Sequence, residues 1–139
     1  MGGVGSMAKT PTKKSKTEKL LTEVELEMMR ALWSRGSGTV ADVQGMLPPE
    51  RKLAYTSVST MLRILEQKGV LGSRKEGRGH IYVPKLEKQE YEKRSLRHIV
   101  DRVFGGAPAR LVQRLLEVEP LSSDELSKIK VLLKMEKAE

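Results

Sequence analysis

The chain has 139 residues, 26 Lys and Arg against 18 Asp and Glu, and no cysteine. That length suits one ordinary domain or two small ones, and the lack of thiols excludes disulfides, a thiol redox switch and any Cys-ligated zinc or copper site. The net charge of +8 points toward a polyanionic partner, but five Lys and a single Glu precede Leu20, so half of the excess sits in that tail.

Met1 to Ser6 read MGGVGS ahead of a second methionine, as a cloning scar would, with Met7 as the natural start. Ala8 to Lys19 are Lys, Thr and Ser rich with almost nothing apolar, a composition expected to stay disordered. Residues 1–19 are therefore set aside as scar and basic tail, the tail either solubilising or adding non-specific phosphate attraction. No apolar run approaches a membrane span or a signal segment, so a cytoplasmic protein is expected.

Thr22 and Glu25 form a capping box, with Leu21 and Leu26 placed as a hydrophobic staple. The helix they start carries Leu26, Met29, Leu32 and Trp33 as a core stripe to about Ser34. Gly36 to Gly38 break the chain. Thr39 caps a second, short helix with Val40, Val43 and Leu47 inward and Asp42 at its third position, until Pro48 and Pro49 stop it.

The next stretch, LAYTSVSTMLRILEQKGVLGSRKEGRGHIYVP from Leu53 to Pro84, is the most informative. Val58, Met61, Leu62 and Leu65 recur at helical spacing and make an apolar stripe. Thr56, Ser59, Thr60, Arg63 and Gln67 fall on the opposite side. Ser and Thr are poorer helix formers than the Glu, Lys or Ala a purely solvated face favours. Short hydroxyl side chains let a helix lie close to base edges, and an Arg can bond guanine through two donors. An ordinary solvated face remains the plain alternative.

A short hairpin follows. Arg74, Lys75 and Arg78 surround its turn, Gly77 and Gly79 supply positive-φ freedom there, and Ile81, Tyr82 and Val83 give the return strand before Pro84 ends it. Basic residues also protect a solvated strand edge. A hydroxyl-lined helix followed by a basic ribbon nevertheless favours a winged helix-turn-helix over 20–84. Tyr55, Thr56, Ser59, Thr60 and Arg63 are the candidate base readers, and Ser57, Arg74, Lys75, Arg78 and His80 the candidate phosphate contacts. Charge within the segment is polarised: Glu23, Glu25 and Glu27 lie on the first helix, with Arg63, Lys68 and the hairpin cations on the DNA side.

Residues 85–139 read as three more helices. From about Glu87 to Phe104 the stripe is Leu96, Ile99, Val100 and Val103. After the Phe104-Gly105-Gly106 break, Pro108 opens a helix with Leu111, Val112, Leu115 and Leu116. Beyond Pro120, Ser122 and Glu125 form another capping box ahead of Leu126, Ile129, Leu132 and Leu133. Some 50 residues are marginal for an independent core, so these stripes are expected to be buried against a second copy in a two-fold homodimer; folding back on the winged segment is the alternative. Overall the fold class is mainly α with a small β-hairpin wing: a winged helix-turn-helix DNA-binding domain plus a C-terminal three-helix dimerisation domain.

No nucleophile–base order, carboxylate pair or phosphate loop stands out, and His80 and His98 have no ligand-spaced partner. Neither enzymatic activity nor a metal or cofactor is expected.

Four segments, LTEVELEMMRALW, AYTSVSTMLRILEQKGVL, KEGRGHIYVP and VFGGAPARLVQRLLE with the following LSSDELSKIKVLL, resemble the penicillinase and methicillin-resistance repressors, a family of bacterial transcription regulators linked to antibiotic resistance. The resemblance covers Leu21 to about Met135. It implies a homodimeric repressor that binds an inverted-repeat operator on double-stranded DNA and is relieved by proteolytic cleavage within the dimerisation helices, under a membrane-bound β-lactam sensor. The best-known members are cut at an Asn-Phe pair; Arg114-Leu115 occupies that place here, so the pair is missing. Leu53 and Tyr55 also stand where those members have Trp and Pro, which implies a different operator. Two other readings stay open from the residues: a winged-helix protein-interaction module that never touches DNA, and a winged-helix regulator that binds a small effector.

Overall fold

A computed structural model describes residues 20–137. The scar and basic tail expected over 1–19 lie outside the described residues. Three helices come first, α1 (Glu23–Arg35), α2 (Val40–Met46) and α3 (Tyr55–Gln67). A hairpin of β1 (Leu71–Glu76) and β2 (Gly79–Pro84) follows, then α4 (Lys88–Arg102), α5 (Pro108–Val118) and α6 (Ser123–Lys137). The chain is thus mainly helical with a two-stranded antiparallel wing. It divides into two compact units, the first ending at Ser95 and the second beginning at Leu96.

In the first unit the expected Thr22–Glu25 capping box is complete, and the Thr39 cap also forms a full box. The Thr22 hydroxyl accepts from Glu25 N–H while the Glu25 carboxylate accepts from Thr22 N–H, and Thr39 and Asp42 repeat the exchange. Each box satisfies two amides that a helix start otherwise leaves without partners. The Thr39 amide and hydroxyl hold Asp42 below the usual carboxylate range, with Arg35 adding to the effect. α1 ends at Gly36, whose φ of 95° only glycine adopts readily.

The core is one cluster built from α1, α2, α3 and the wing. Met28, Met29, Leu32, Val43, Val58, Leu62, Leu65 and Leu71 are all but fully buried, and Tyr82 closes it from β2. The stripe expected on α3 is the one observed, with Met61 at its half-buried margin. On α1 the inward face is rotated from the expected one. Met28, Met29, Ala31 and Leu32 are buried with Glu25, whereas Leu26 and Trp33 are only half-buried. Both sets satisfy helical spacing, and the elements packed on α1 decide between them.

Glu25 is the one buried charged residue of this unit's described part. Burial pushes its carboxyl up, but the Lys68 ammonium 2.8 Å away and the Thr22 cap outweigh this and hold it below its ordinary value. Lys68 follows directly on α3, so the bond joins the start of α1 to the end of α3. Glu27 makes a two-pronged pair with Arg51 at 2.7 and 3.2 Å, which lowers the Glu27 carboxyl and raises the guanidinium. The turn between α2 and α3 is held further by Gln44, whose amide donates to the Leu53 carbonyl at 3.0 Å.

An isolated bridge joins the wing to the loop after α1. Gly38 exchanges both backbone hydrogen bonds with Tyr82, at 3.0 and 2.8 Å. A side chain at Gly38 would meet the side chains of Arg35, Asp42 and Leu32 at 3.3–3.4 Å, so glycine keeps this position from crowding α1 and α2.

The second unit is described by itself. No described side chain from Leu96 onward is buried. After α4, Gly105 and Gly106 take φ of 60° and 81°, and Gly106 N–H reaches back to the Val100 carbonyl at 2.8 Å. Pro108 then opens α5, where its missing N–H costs no helical bond. The Ser122 hydroxyl accepts from Glu125 N–H at the start of α6.

Candidate nucleic-acid interface

With Val58, Leu62 and Leu65 committed to the core, helix geometry leaves the other side of α3 to solvent. Thr56, Thr60, Arg63 and Gln67 are exposed there, as are Tyr55 and Ser57 on its first turn. Ser59 is half-buried at the edge of that face. Ile64 also stands 40% exposed, one turn on from Thr60; sequence pattern does not place it on this face, because an isolated Ile at helical spacing looks like core.

The N-terminus of α3 differs from those of α1 and α2. Its N-cap is Ala54, which supplies no side-chain hydrogen bond. The leading N–H groups are therefore left for another acceptor, and the positive end of the helix dipole lies at the same place. Such a terminus suits an anionic oxygen, and phosphate is the common one.

The hairpin turn sits in a fixed register. Lys75 pairs with His80 and Glu76 with Gly79, so only Gly77 and Arg78 form the loop. Gly77 takes φ of 60°, as the first central position of a two-residue hairpin turn requires. Of the two glycines only Gly77 takes positive φ; Gly79 is instead a paired strand residue. Ser73, Lys75, His80 and Tyr82 share one face of the ribbon by strand alternation. That face is the one turned to α3, because the Ser73 hydroxyl donates to the Glu66 carboxylate at 2.7 Å and Tyr82 is buried. Arg74 points the other way, with Glu76 at 3.9 Å. The basic residues of the hairpin are thus split: Lys75 and His80 on the α3 side, Arg78 at the tip, Arg74 behind. All four are exposed.

Two cations that sequence pattern leaves partner-facing or simply polar are occupied within the fold. Lys68 is bonded to Glu25 and Arg51 to Glu27. The remaining cation of the outward α3 face is Arg63. Among the described residues no group of three or more His, Cys, Asp or Glu is placed to hold a metal ion.

The candidate dimer residues all lie in the second unit, and they are open to different degrees. Leu96 and Ile99 on α4, Val103 just beyond it, Leu115 on α5 and Leu126, Leu132 and Leu133 on α6 are exposed, whereas Val100, Leu111 and Ile129 are half-buried. Arg114 and Leu115 lie inside α5, with the Arg114 guanidinium paired to Glu117 at 2.6 Å. No helix of the described chain is long and apolar enough to cross a membrane.

A three-helix core, a cationic ribbon and an outward hydroxyl-lined third helix define a winged-helix protein of the DNA-binding repressor class. The chain belongs to the penicillinase repressor family, whose model matches residues 21–135. It is similar to the penicillinase repressor of Bacillus licheniformis, 27% identical over 117 residues that cover 84% of this chain and 91% of that protein. It is similar also to the methicillin resistance regulatory protein MecI of Mammaliicoccus sciuri, 20% identical over 81% of this chain and 92% of that one. Among solved structures, it matches the solution structure of the DNA-binding domain of the repressor BlaI, 31% identical, over 51% of this chain and 87% of that one, with a TM-score of 0.46.

Proposed function

We propose that the protein is a homodimeric repressor that reads an inverted repeat on double-stranded DNA through α3 and grips the flanking phosphates with its wing. The observation that carries this is the outward face of α3: Thr56, Thr60 and Arg63 exposed above an uncapped helix start, beside a ribbon presenting Lys75, Arg78 and His80. Tyr55, Thr56, Ser59, Thr60 and Arg63 are assigned to base edges, and Ser57, Arg74, Lys75, Arg78 and His80 to phosphates. Arg74, on the far side of the ribbon, reaches only a strand that curves around the wing.

Dimerisation is supported by the second unit's lack of any buried side chain among its described residues. Packing Leu96, Ile99, Val100, Val103, Leu111, Leu115, Leu126, Ile129, Leu132 and Leu133 against a second copy would remove that apolar surface from water. Two linked reading helices then reach inverted half-sites on one side of the duplex, separated by whole turns, and each gains from the other's attachment through effective concentration. A cut within α5, where Arg114 and Leu115 lie, would sever that link and release DNA. A regulatory protease or membrane sensor as the agent is carried by the family resemblance alone.

The test uses a duplex that the protein selects from a random pool. Arg63→Ala is expected to weaken binding to the selected duplex by about 1–3 kcal/mol, the value of a bidentate guanine contact, and to leave random duplex nearly unaffected. Equal losses on both would reassign Arg63 to the backbone. Failure of the wild-type protein to enrich any sequence would remove sequence reading altogether.

A further inference from the structure

We infer that Ile64 is a specificity-determining residue of α3, packing its side chain on the 5-methyl group of a thymine in the major groove; this rests on the DNA-reading function proposed above. At 3.6 residues per turn, Ile64 lies about 40° round the helix from Thr60 and about 20° from Ser57. The three recur at i, i+3 and i+7, in one line along α3. Ser57 and Thr60 are exposed, and Ile64 is 40% exposed. Val58, Leu62 and Leu65 take the core side of the helix, and half-buried Met61 marks its margin.

A single exposed apolar side chain is ordinary on a protein surface, so its position and its company decide what this one does. Ile is a poorer helix former than the Leu, Lys, Glu or Gln that a purely solvated site favours. Its companions on the outward face, Thr56, Thr60, Arg63 and Gln67, are all polar and exposed. The ribbon packs on another side of α3: the 2.7 Å hydrogen bond from Ser73 fixes it beside Glu66, roughly 160° round the helix from Ile64. Helical side chains lean toward the N-terminus of their helix, which directs Ile64 toward Thr60 in the same line.

The major groove displays one apolar group among its donors and acceptors, the thymine 5-methyl. Hydroxyls and a guanidinium suit the polar base edges, whereas a branched alkyl side chain suits the methyl. Their contact removes apolar surface of both partners from water, a gain available with thymine and with none of the other three bases. Ile64 has no side-chain donor for a phosphate, so its contribution falls on the selected sequence and not on random duplex.

The experiment uses the full chain and the duplex that wild type selects from a random pool. Each T of that duplex is replaced in turn by deoxyuridine, which deletes the methyl and keeps the base pairing. At one position in each half-site, wild type is expected to lose about fourfold in affinity, the value of one buried carbon. Ile64→Ala shortens the side chain, and Ile64→Gln keeps its reach but ends it in an amide. Urea unfolding checks the fold of each variant, and either one suffices. Both are expected to bind the T and deoxyuridine duplexes alike at that position, to keep the wild-type ratio at every other T, and to bind random duplex as wild type does. If wild type discriminates at no position, or if a folded variant keeps the full discrimination everywhere, Ile64 reads no methyl; the inference is then overturned while sequence reading by α3 stands. If wild type enriches no sequence, both fall.

Discussion

The two units of this chain solve the burial problem in opposite ways. From Leu21 to Ser95, three helices and a ribbon enclose Met28, Leu32, Leu62, Leu65 and their neighbours completely. From Leu96 onward, Val103, Leu132 and Leu133 are 63, 62 and 63% exposed, and not one described side chain is buried. Apolar content alone does not separate the two, since both halves carry helical stripes of Leu, Val and Ile. The difference lies in whether each unit supplies its own partner surface. A complete core lets the first unit hold α3 and the wing, whereas the open stripes are the surface that the proposed homodimer would cover.

The sharpest way to break this contrast is a charge in the open stripes. Leu96→Asp or Leu132→Asp is expected to shift the protein toward monomers in analytical ultracentrifugation. Affinity for the selected palindrome should fall with it by about 10²-fold or more, the gain that linkage of two modules supplies. A proven monomer that binds the palindrome as well as wild type would separate DNA reading from assembly. The converse substitution is Leu62→Ala. Truncating the fully buried Leu62 should cost the winged unit about 2–5 kcal/mol in urea unfolding, with self-association unchanged. Loss of the dimer in that variant would show the two units to be one cooperative structure. The smallest expected effect concerns the ribbon. Lys75→Ala with Arg78→Ala should flatten the log–log dependence of binding on salt by roughly 0.9 for each phosphate that is no longer neutralised. An unchanged slope would take the wing out of the interface.

What is legible in the sequence follows the range of the signal. Thr22–Glu25 is a pattern of neighbouring residues and its box forms as expected, while the Thr39 cap forms as expected and adds a full box with Asp42. The α3 stripe and the Gly77 turn are likewise local: Val58, Leu62 and Leu65 are buried as expected, which leaves Thr56, Thr60 and Arg63 exposed. The rotation of α1 toward Met28 and away from Leu26 is not legible, because two overlapping stripes fit the same spacing and only packing chooses between them. Lys68 and Arg51 look like free cations in the sequence because their partners, Glu25 and Glu27, are 43 and 24 residues distant. Gly38 reads as a loop glycine, although it pairs with Tyr82 across the wing. Tyr91 carries no local signal for the same reason: its ties run back to Trp33 and Leu21. Of the candidate site, the hairpin cations are legible as a set but not in their division, since strand alternation sends Arg74 behind the ribbon and Lys75 toward α3.

The central claim is that the outward face of α3 meets DNA, and the most direct measurement is a backbone amide chemical-shift map of the full chain titrated with the selected duplex. The largest changes are expected at Thr56, Ser57, Ser59, Thr60 and Arg63, with a second group at Lys75 to His80 and little change at buried Val43 or Met28. Changes confined to other surfaces, with the amides from Thr56 to Arg63 unmoved at saturation, would contradict it.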